Sequence, residues 1–513
     1  MNKRMIERIV GPFLAILFTV FLSVEAASAS TGFAYGADIG WVQQLEDEGV
    51  TWQNDSGVQA DPLQIMKDHG IESVRLRVFV NPNASAYWNK DGTTWTMLGY
   101  TDKNSVVAAA VRAQALGMRV MVDFHYSDVF ADPGHQIKPA AWENFSVSQL
   151  TTAVYDHTQD VMTTLVNAGV TPAWVQVGNE MNSGILLPEG GTGNFATLAQ
   201  LLNAGYDAVK AVSPTSKVVS HLAHGTDNAT SRWFFDNFLT AYNGKTDVLG
   251  FSFYPYWEGQ PYWELMDALE NNLNDMASRY GKEVMVVEVG GLESSPEESY
   301  WTIWETINAV KAVPDSMGTG VFYWEPAANS SVLPDGYALG ATSGVATDVL
   351  QFTQALDAFA DTQDSTSISL PDESGTYRIV NRNSGKALNV VGGSSTDGAN
   401  IEQYSYGGWA SQHWQFIDLD NGYYKIQNVN SGKLMDVESA SLEDGAENIQ
   451  WYDNGGLNQQ WQLQDTGDGY FKIINRNSGK LLDINGASTA DGALDIQWYD
   501  NGGTNQHWQI LEI

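Results

Sequence analysis

From residue 33 to residue 326 the chain alternates short apolar runs with longer segments whose apolar positions recur at helical spacing. Eight runs stand at 35–39, 73–80, 119–124, 173–177, 217–221, 248–253, 284–287 and 320–323. Runs such as Val284-Met285-Val286-Val287 are apolar at every position, as a parallel strand covered on both faces must be; a strand with one wet face alternates. The intervening segments predict helices, for example over 105–116 and 195–212, stopped near Gly117 and Pro214. Eight strand–helix pairs predict an α/β fold, a (β/α)8 TIM barrel with some enlarged loops. A doubly wound open sheet is the alternative that periodicity leaves open.

The pattern changes at residue 361. Residues 361–375 are Asp, Thr, Ser, Gln, Pro and Glu with little to bury, the composition of a linker. Residues 376–513 carry Gly-rich turns and short alternating strands such as Tyr424-Lys425-Ile426-Gln427, with no helical period. Within them Asn-Ser-Gly-Lys recurs from Asn383, Asn430 and Asn477, and Gln-x-Trp closes each copy at Trp414, Trp461 and Trp508, in steps of 47 residues. Three copies without drift predict a closed threefold all-β body, since an open solenoid would need distinct capping units. A Trp at a threefold-repeated place is most simply shared core.

Composition adds limits. With 513 residues the chain exceeds what one core supports, and 18 Trp and 22 Tyr leave stacking surface beyond the apolar area to be buried. Residues 1–29 read as a secretory signal: Lys3, Arg4 and Arg8, an apolar run over 9–24, then Ala27-Ser28-Ala29. An uncleaved anchor is the other reading of that segment. No cysteine is present, which removes thiolate catalysis, Cys-ligated zinc and disulfides together. A net charge of −35 repels nucleic acid and anionic membrane surfaces, although acidity also serves solubility alone.

A barrel carries its reactive groups where strands end at the C-terminal face. The fourth run ends in Gly178-Asn179-Glu180 and the seventh in Glu288. A carboxylate at the end of an apolar strand is costly to desolvate unless paired or put to use. Either Glu alone is readily a salt-bridge partner of Arg75 or Arg77, but two facing across a barrel mouth suit glycoside cleavage. Glu325, after Trp324 and before Pro326, reads as structural. Asp123-Phe124-His125-Tyr126, His221, Tyr254-Pro255-Tyr256-Trp257 and Tyr323-Trp324 put hydrogen-bonding groups beside flat rings at predicted strand ends, as a carbohydrate cleft requires. His221 and His224 lack the carboxylate that would complete a metal motif.

Here a family resemblance becomes specific. Gly36-Ala37-Asp38, Asp68-His69-Gly70-Ile71 leading into Ser73-Val74-Arg75-Leu76-Arg77, Asp123-Phe124-His125-Tyr126-Ser127-Asp128, Gln176-Val177-Gly178-Asn179-Glu180 and Gly320-Val321-Phe322-Tyr323-Trp324-Glu325-Pro326 resemble the endo-β-1,4-galactanases of glycoside hydrolase family 53 over nearly the whole barrel. The resemblance implies Glu180 as acid/base and Glu288 as nucleophile, with Arg75, His125, Asn179, Tyr254 and Trp324 around the sugar; the strand-end reading adds Asp123 and His221. Two places depart from the family's pattern: Val289-Gly290-Gly291 follows the nucleophile, and Leu187 stands before Pro188. Some bacterial relatives hold calcium after the seventh strand. Residues 292–299 show no alternating Asp/Asn pattern, so no metal and no cofactor is expected. Carboxyl groups about 5–5.5 Å apart retain anomeric configuration, and roughly 6.5–9.5 Å inverts it; retention is expected. Glu180 is expected protonated in the free enzyme, and Glu288 held ionised by hydrogen bonds from Arg75.

The threefold repeat resembles the ricin-type β-trefoil lectins, whose lobes bind sugar through an early Asp, a midway Gln and aromatic, and an Asn before the closing Gln. Lobe two has Asp436, Gln450, Tyr452 and Asn458; lobe three has Asp483, Gln497, Tyr499 and Asn505. Lobe one has Asn389, Gln403, Ser405 and Ser411 at those places, losing the carboxylate and the ring, and reads as structural. Two sites on one body raise avidity for a polymer.

The domains expected are a signal over 1–29, a catalytic barrel over 30–360, a linker over 361–375 and a carbohydrate-binding trefoil over 376–513. The whole reads as a secreted, extracellular, monomeric endo-β-1,4-galactanase acting on galactan or arabinogalactan side chains of pectin, binding neither nucleic acid nor membrane. A retaining barrel hydrolase for mannan or cellulose, and a lectin with an inactive barrel, are the alternatives.

Overall fold

The computed structural model describes residues 32–82, 88–90, 93–95, 100–333, 337–363, 371, 375–419, 421–466 and 469–513. The expected signal segment lies outside them, as do residues 364–370 and 372–374 of the expected linker. Eight parallel strands close into a barrel: β1 Ala34–Asp38, β2 Ser73–Val78, β3 Arg119–Phe124, β4 Trp174–Val177, β5 Lys217–Leu222, β6 Val248–Phe253, β7 Glu283–Val289 and β8 Gly318–Tyr323. Each of the eight runs read from the sequence is one of these strands, which rules out the open sheet. The seam between β8 and β1 pairs Ala34 with Gly320 and Ala37 with Tyr323.

The runs are apolar on both faces because both faces are covered. Met121, Trp174, Val219, Val248, Met285, Val287 and Phe322 fill the interior, while helices pack outside. Gly36 admits the Phe322 ring, since a Cβ there would stand 2.2 Å from it. The helix over Phe195–Val212 has the expected ends; that over Lys103–Ala115 begins earlier than expected because Asp102, not a later residue, caps it through Asn104 and Ser105 N–H. Ser146 and Gln149 form a capping box for the helix Val147–Asn167, which buries Leu150, Val154, Val161 and Leu165.

After β8 the chain makes a feature that periodicity did not predict. Strands Thr342–Ala346 and Val349–Phe352 join Thr51–Gln53 and Gln59–Ala60 in a small sheet, and a helix over Asp357–Gln363 follows. Both are too short for a period to register.

Residues 377–512 form twelve antiparallel strands. The three Gln-x-Trp indoles are fully buried, and Trp414, Trp461 and Trp508 donate to the carbonyls of Leu388, Met435 and Leu482 at 3.2, 3.2 and 3.0 Å. This trefoil packs on the barrel. Tyr470 meets Trp304 edge-on with centroids 5.8 Å apart, and Arg378 pairs with Glu297 of the same barrel helix. Gly469 (φ +94°) is required at the seam, where a Cβ would stand 2.0 Å from the Trp304 ring.

Candidate active site

Arg75, at the centre of β2, organises the C-terminal mouth of the barrel. Its Nη1 reaches both Asp38 oxygens at 3.1 Å, and its Nη2 reaches Asp123 Oδ2, Asn179 Oδ1 and Glu288 Oε1, each at 2.9 Å. Gln176 Oε1 accepts from Arg75 Nε at 3.2 Å, and Gln176 Nε2 donates to Asp123 Oδ1 at 2.6 Å. One buried cation thus serves three buried carboxyl groups.

The electrostatics follow from that division. Burial lowers the Arg75 guanidinium, but Asp123, Asp38 and Glu288 outweigh it and hold the cation above its usual value. Burial raises Asp123, yet Arg75 and His125 bring it below the ordinary aspartate range. Asp38 stays well above that range, because burial exceeds what Arg75 returns. Glu288 is likewise pushed up by burial against the pull of Arg75. The expected Arg75–Glu288 contact is therefore present, but its hold on Glu288 is weaker than the sequence implied, because three acids share one guanidinium.

Glu180 follows Gly178 (φ +89°) and itself sits in the left-handed region (φ +44°), so the chain turns sharply at the end of β4 and lifts the carboxylate toward the cavity. Ser252 Oγ donates to Glu180 Oε1 at 2.7 Å, and His221 Nε2 lies 2.8 Å from Ser252 Oγ. Ser252 is also the register partner of Glu288 across β6 and β7. Phe251 pairs with Val286 and Ser252 with Glu288, so β7 holds one extra residue at Val287; β8 meets the same irregularity. This bulge turns the strand and delivers Glu288 to the mouth. Tyr254 donates to Glu288 Oε2 at 3.2 Å, and burial, then Glu288, holds its hydroxyl well above the usual tyrosine value, so it remains a donor.

The cavity in front of these groups has a volume of about 540 Å³ and is lined by Glu180, Glu288, Asn179, His125, Tyr254 and Trp324, among others. All six are residues the sequence singled out. Trp324 is braced edge-on by Trp41 and Tyr337 at 4.9 and 4.8 Å. Arg75, Asp123 and His221, expected beside the sugar, stand behind this wall, fully buried, and act through Glu288, His125 and Ser252. His125 Nδ1 accepts from Ala131 N–H at 2.9 Å, so its Nε2–H points to Asp123 Oδ2, also 2.9 Å away. Glu325 is fully buried, paired with Arg77 and accepting from Trp41 N–H at 3.2 Å, the structural role expected of it. His224 faces Glu258 at 3.7 Å rather than His221.

The sequence reading missed Ser252 and Tyr337 as lining residues, whereas Trp257, named there among the strand-end rings, lines the cavity as well. Ser252 was findable, two residues before Tyr254 on the same face of the β6 segment. Tyr337 comes from the loop after β8 and carried no signal.

In the trefoil, Asp436 accepts from Asn458 Nδ2 and Gln459 Nε2, both at 2.8 Å, and Asp483 from Gln506 Nε2 at 2.8 Å. Burial pushes both carboxyls up to about 6, against these amide donors. Tyr452 and Tyr499 stand 55% and 53% exposed. Gln450 and Gln497 need correction as sugar ligands. Both are fully buried: Gln450 accepts from Ser431 and donates to the Ser394 and Thr396 carbonyls, and Gln497 accepts from Ser478 and donates to those of Ser441 and Glu443. Gln403 repeats the pattern in lobe one, so these amides lace each lobe to its neighbour. No helix among the described residues is long and apolar enough to cross a membrane.

Comparison with known proteins agrees with this architecture. Residues 34–359 match the model of glycosyl hydrolase family 53, and residues 366–451 and 457–513 that of the ricin-type beta-trefoil lectin domain-like family. An arabinogalactan endo-beta-1,4-galactanase of Thermothelomyces thermophilus is 36% identical over 315 residues, 57% of this chain and 89% of that protein. A solved fungal beta-1,4-galactanase superposes with a TM-score of 0.56 at 31% identity, covering 64% of this chain and 99% of that one. The family 53 catalytic domain of Ignisphaera aggregans gives 0.54 at 29% identity, covering 64% of this chain and 96% of its own.

Proposed function

The chain belongs to glycosyl hydrolase family 53, and from that premise we propose that its barrel is an endo-β-1,4-galactanase that retains anomeric configuration. The observation that carries the assignment is the meeting of Glu180 and Glu288 in one cavity, with Ser252 bonded to the first and register partner of the second. Glu288 attacks the anomeric carbon while Glu180 protonates the departing glycosidic oxygen. Glu180 then takes a proton from water as that water displaces the enzyme carboxylate. Asn179 and Tyr254, held by Ala131 and Glu288 contacts, orient the sugar, and Trp324 stacks on it. Arg75 screens the three carboxyl groups behind the site.

The substrate follows from the relatives' activity: β-1,4-galactan of pectic or arabinogalactan side chains, reached by a chain exported through the 1–29 signal. The trefoil holds the polymer through Asp436, Tyr452 and Asn458 and through Asp483, Tyr499 and Asn505. Replacing Glu180 with Gln is expected to abolish turnover of linear β-1,4-galactan while leaving binding intact. Proton NMR of early products is expected to show the β-anomer. Unchanged turnover, or an initial α-anomer, rejects the assignment, and faster release from mannan or cellulose replaces the substrate.

A further inference from the structure

The first lobe of the trefoil lacks the acid and the ring of its two siblings, yet each loss is matched by a gain nearby. Where lobes two and three carry Asp436 and Asp483, lobe one has Asn389. Directly across the strand pair, where the siblings carry Ile449 and Ile496, lobe one has Glu402. Opposed residues in antiparallel strands project to the same face, so the carboxylate has crossed from one strand to the next without leaving the surface. Asn389 Nδ2 donates to Glu402 Oε1 at 2.8 Å, and Ser411 donates to Asn389 Oδ1 at 2.9 Å.

The ring has moved as well. Ser405 replaces Tyr452 and Tyr499, but four residues on Trp409 replaces Gly456 and Gly503, and its indole is 53% exposed. Trp409 tilts against Tyr404 with centroids 6.0 Å apart, and Tyr404, two residues beyond Glu402 on one strand, shares the face of Glu402 and Asn389. An isolated decay of the site would leave a polar-to-neutral floor and a bare loop. Instead an acid stands at a buried position where both siblings are apolar, which is costly unless its oxygens have donors to accept from.

We propose that lobe one is a third carbohydrate site, rebuilt from Glu402, Asn389, Ser411 and Trp409, that takes a neutral pyranose unit with vicinal hydroxyls. The proposal rests on the reading of lobes two and three as sugar sites. Its carboxylate is set on a longer side chain, its amide donor at 458 and 505 is exchanged for the Ser411 hydroxyl, and its ring approaches from the other end of the loop. Its preference among sugars therefore differs from that of its siblings.

The test uses the full chain with Asp436→Asn and Asp483→Asn, which copy the residue lobe one already holds at that place. The indole N–H resonance of Trp409, assigned with Trp409→Phe, is followed by NMR during titration with methyl β-galactoside, arabinose, xylose and glucose. A saturable shift with at least one of these, weakened on the order of tenfold by the isosteric Glu402→Gln, is the expected result. A silent Trp409 with all four, or a shift indifferent to Glu402→Gln, overturns the proposal. Retention on insoluble galactan distinguishes the underlying reading: if the two Asp→Asn changes leave it unaltered, lobes two and three are not the sugar sites.

Discussion

The hydroxyl of Ser252 donates to Glu180 Oε1 at 2.7 Å while its own Cα pairs in register with Glu288. The Glu180 carboxylate is thereby bonded from the strand that pairs with the one carrying Glu288, although the two glutamates come from strands three apart in the barrel. Ser252→Ala removes that donor and is expected to lower activity on galactan about tenfold. Initial rates check it, and Ser252→Thr, which keeps the hydroxyl, is expected to restore activity.

Arg75→Lys removes the planar fork that reaches six oxygens on Asp38, Asp123, Asn179, Gln176 and Glu288. An ammonium cannot span them. Loss of about 3 kcal/mol of stability is expected, with kcat reduced by at least about 100-fold, measured by urea denaturation and initial rates.

Retention of the protein on insoluble galactan is expected to weaken as pH falls through about 6, where Asp436 and Asp483 take up protons and cease to be acceptors at both oxygens. Their folded pKa values lie above the unfolded value of 3.8, so the folded state binds more protons between 3.8 and about 6. These two groups therefore make the protein less stable as pH rises through that window. Pull-down across a pH series and thermal melts separate the two effects. Asp436→Asn with Asp483→Asn is expected to lower retention and leave hydrolysis of a soluble oligosaccharide unchanged.

Gln450→Ala with Gln497→Ala strips two of the three amides that lace lobe to lobe. Because each removes three part-buried hydrogen bonds made by a buried amide, the pair is expected to cost about 2–6 kcal/mol and lower Tm. Sugar affinity of the folded fraction is expected to be unchanged in a binding titration.

At the seam between the domains, Gly469→Ala places a methyl against Trp304 at a backbone angle that disfavours any side chain. Undocking is expected to cost about 1–3 kcal/mol and to split one calorimetric transition into two.

The barrel was legible because parallel strands sealed on both faces announce themselves as unbroken apolar runs, and because Glu180 and Glu288 stood at their ends. What escaped the sequence was relational. Nothing in the order of residues shows that Arg75 is divided among three acids, that Asp123 and His221 support the cavity from behind it, or that Gln450 is spent on its neighbours. The loss of Asp at 389 was visible, but its compensation at Glu402 became apparent only once the strand register made the two positions opposite. Tyr337 and the small sheet near Thr51 arise from segments too short for periodicity to speak.

The bulge at Val287 carries a last implication. Where Glu288 ends up is fixed by counting residues along β7 rather than by the identity of the ones counted. Swapping Val286 or Val287 for another aliphatic residue leaves the tally intact, whereas deleting a single residue there would rotate the glutamate toward the opposite side of the strand. Deletion scanning of β7 should thus extinguish catalysis at places where substitution scanning finds tolerance.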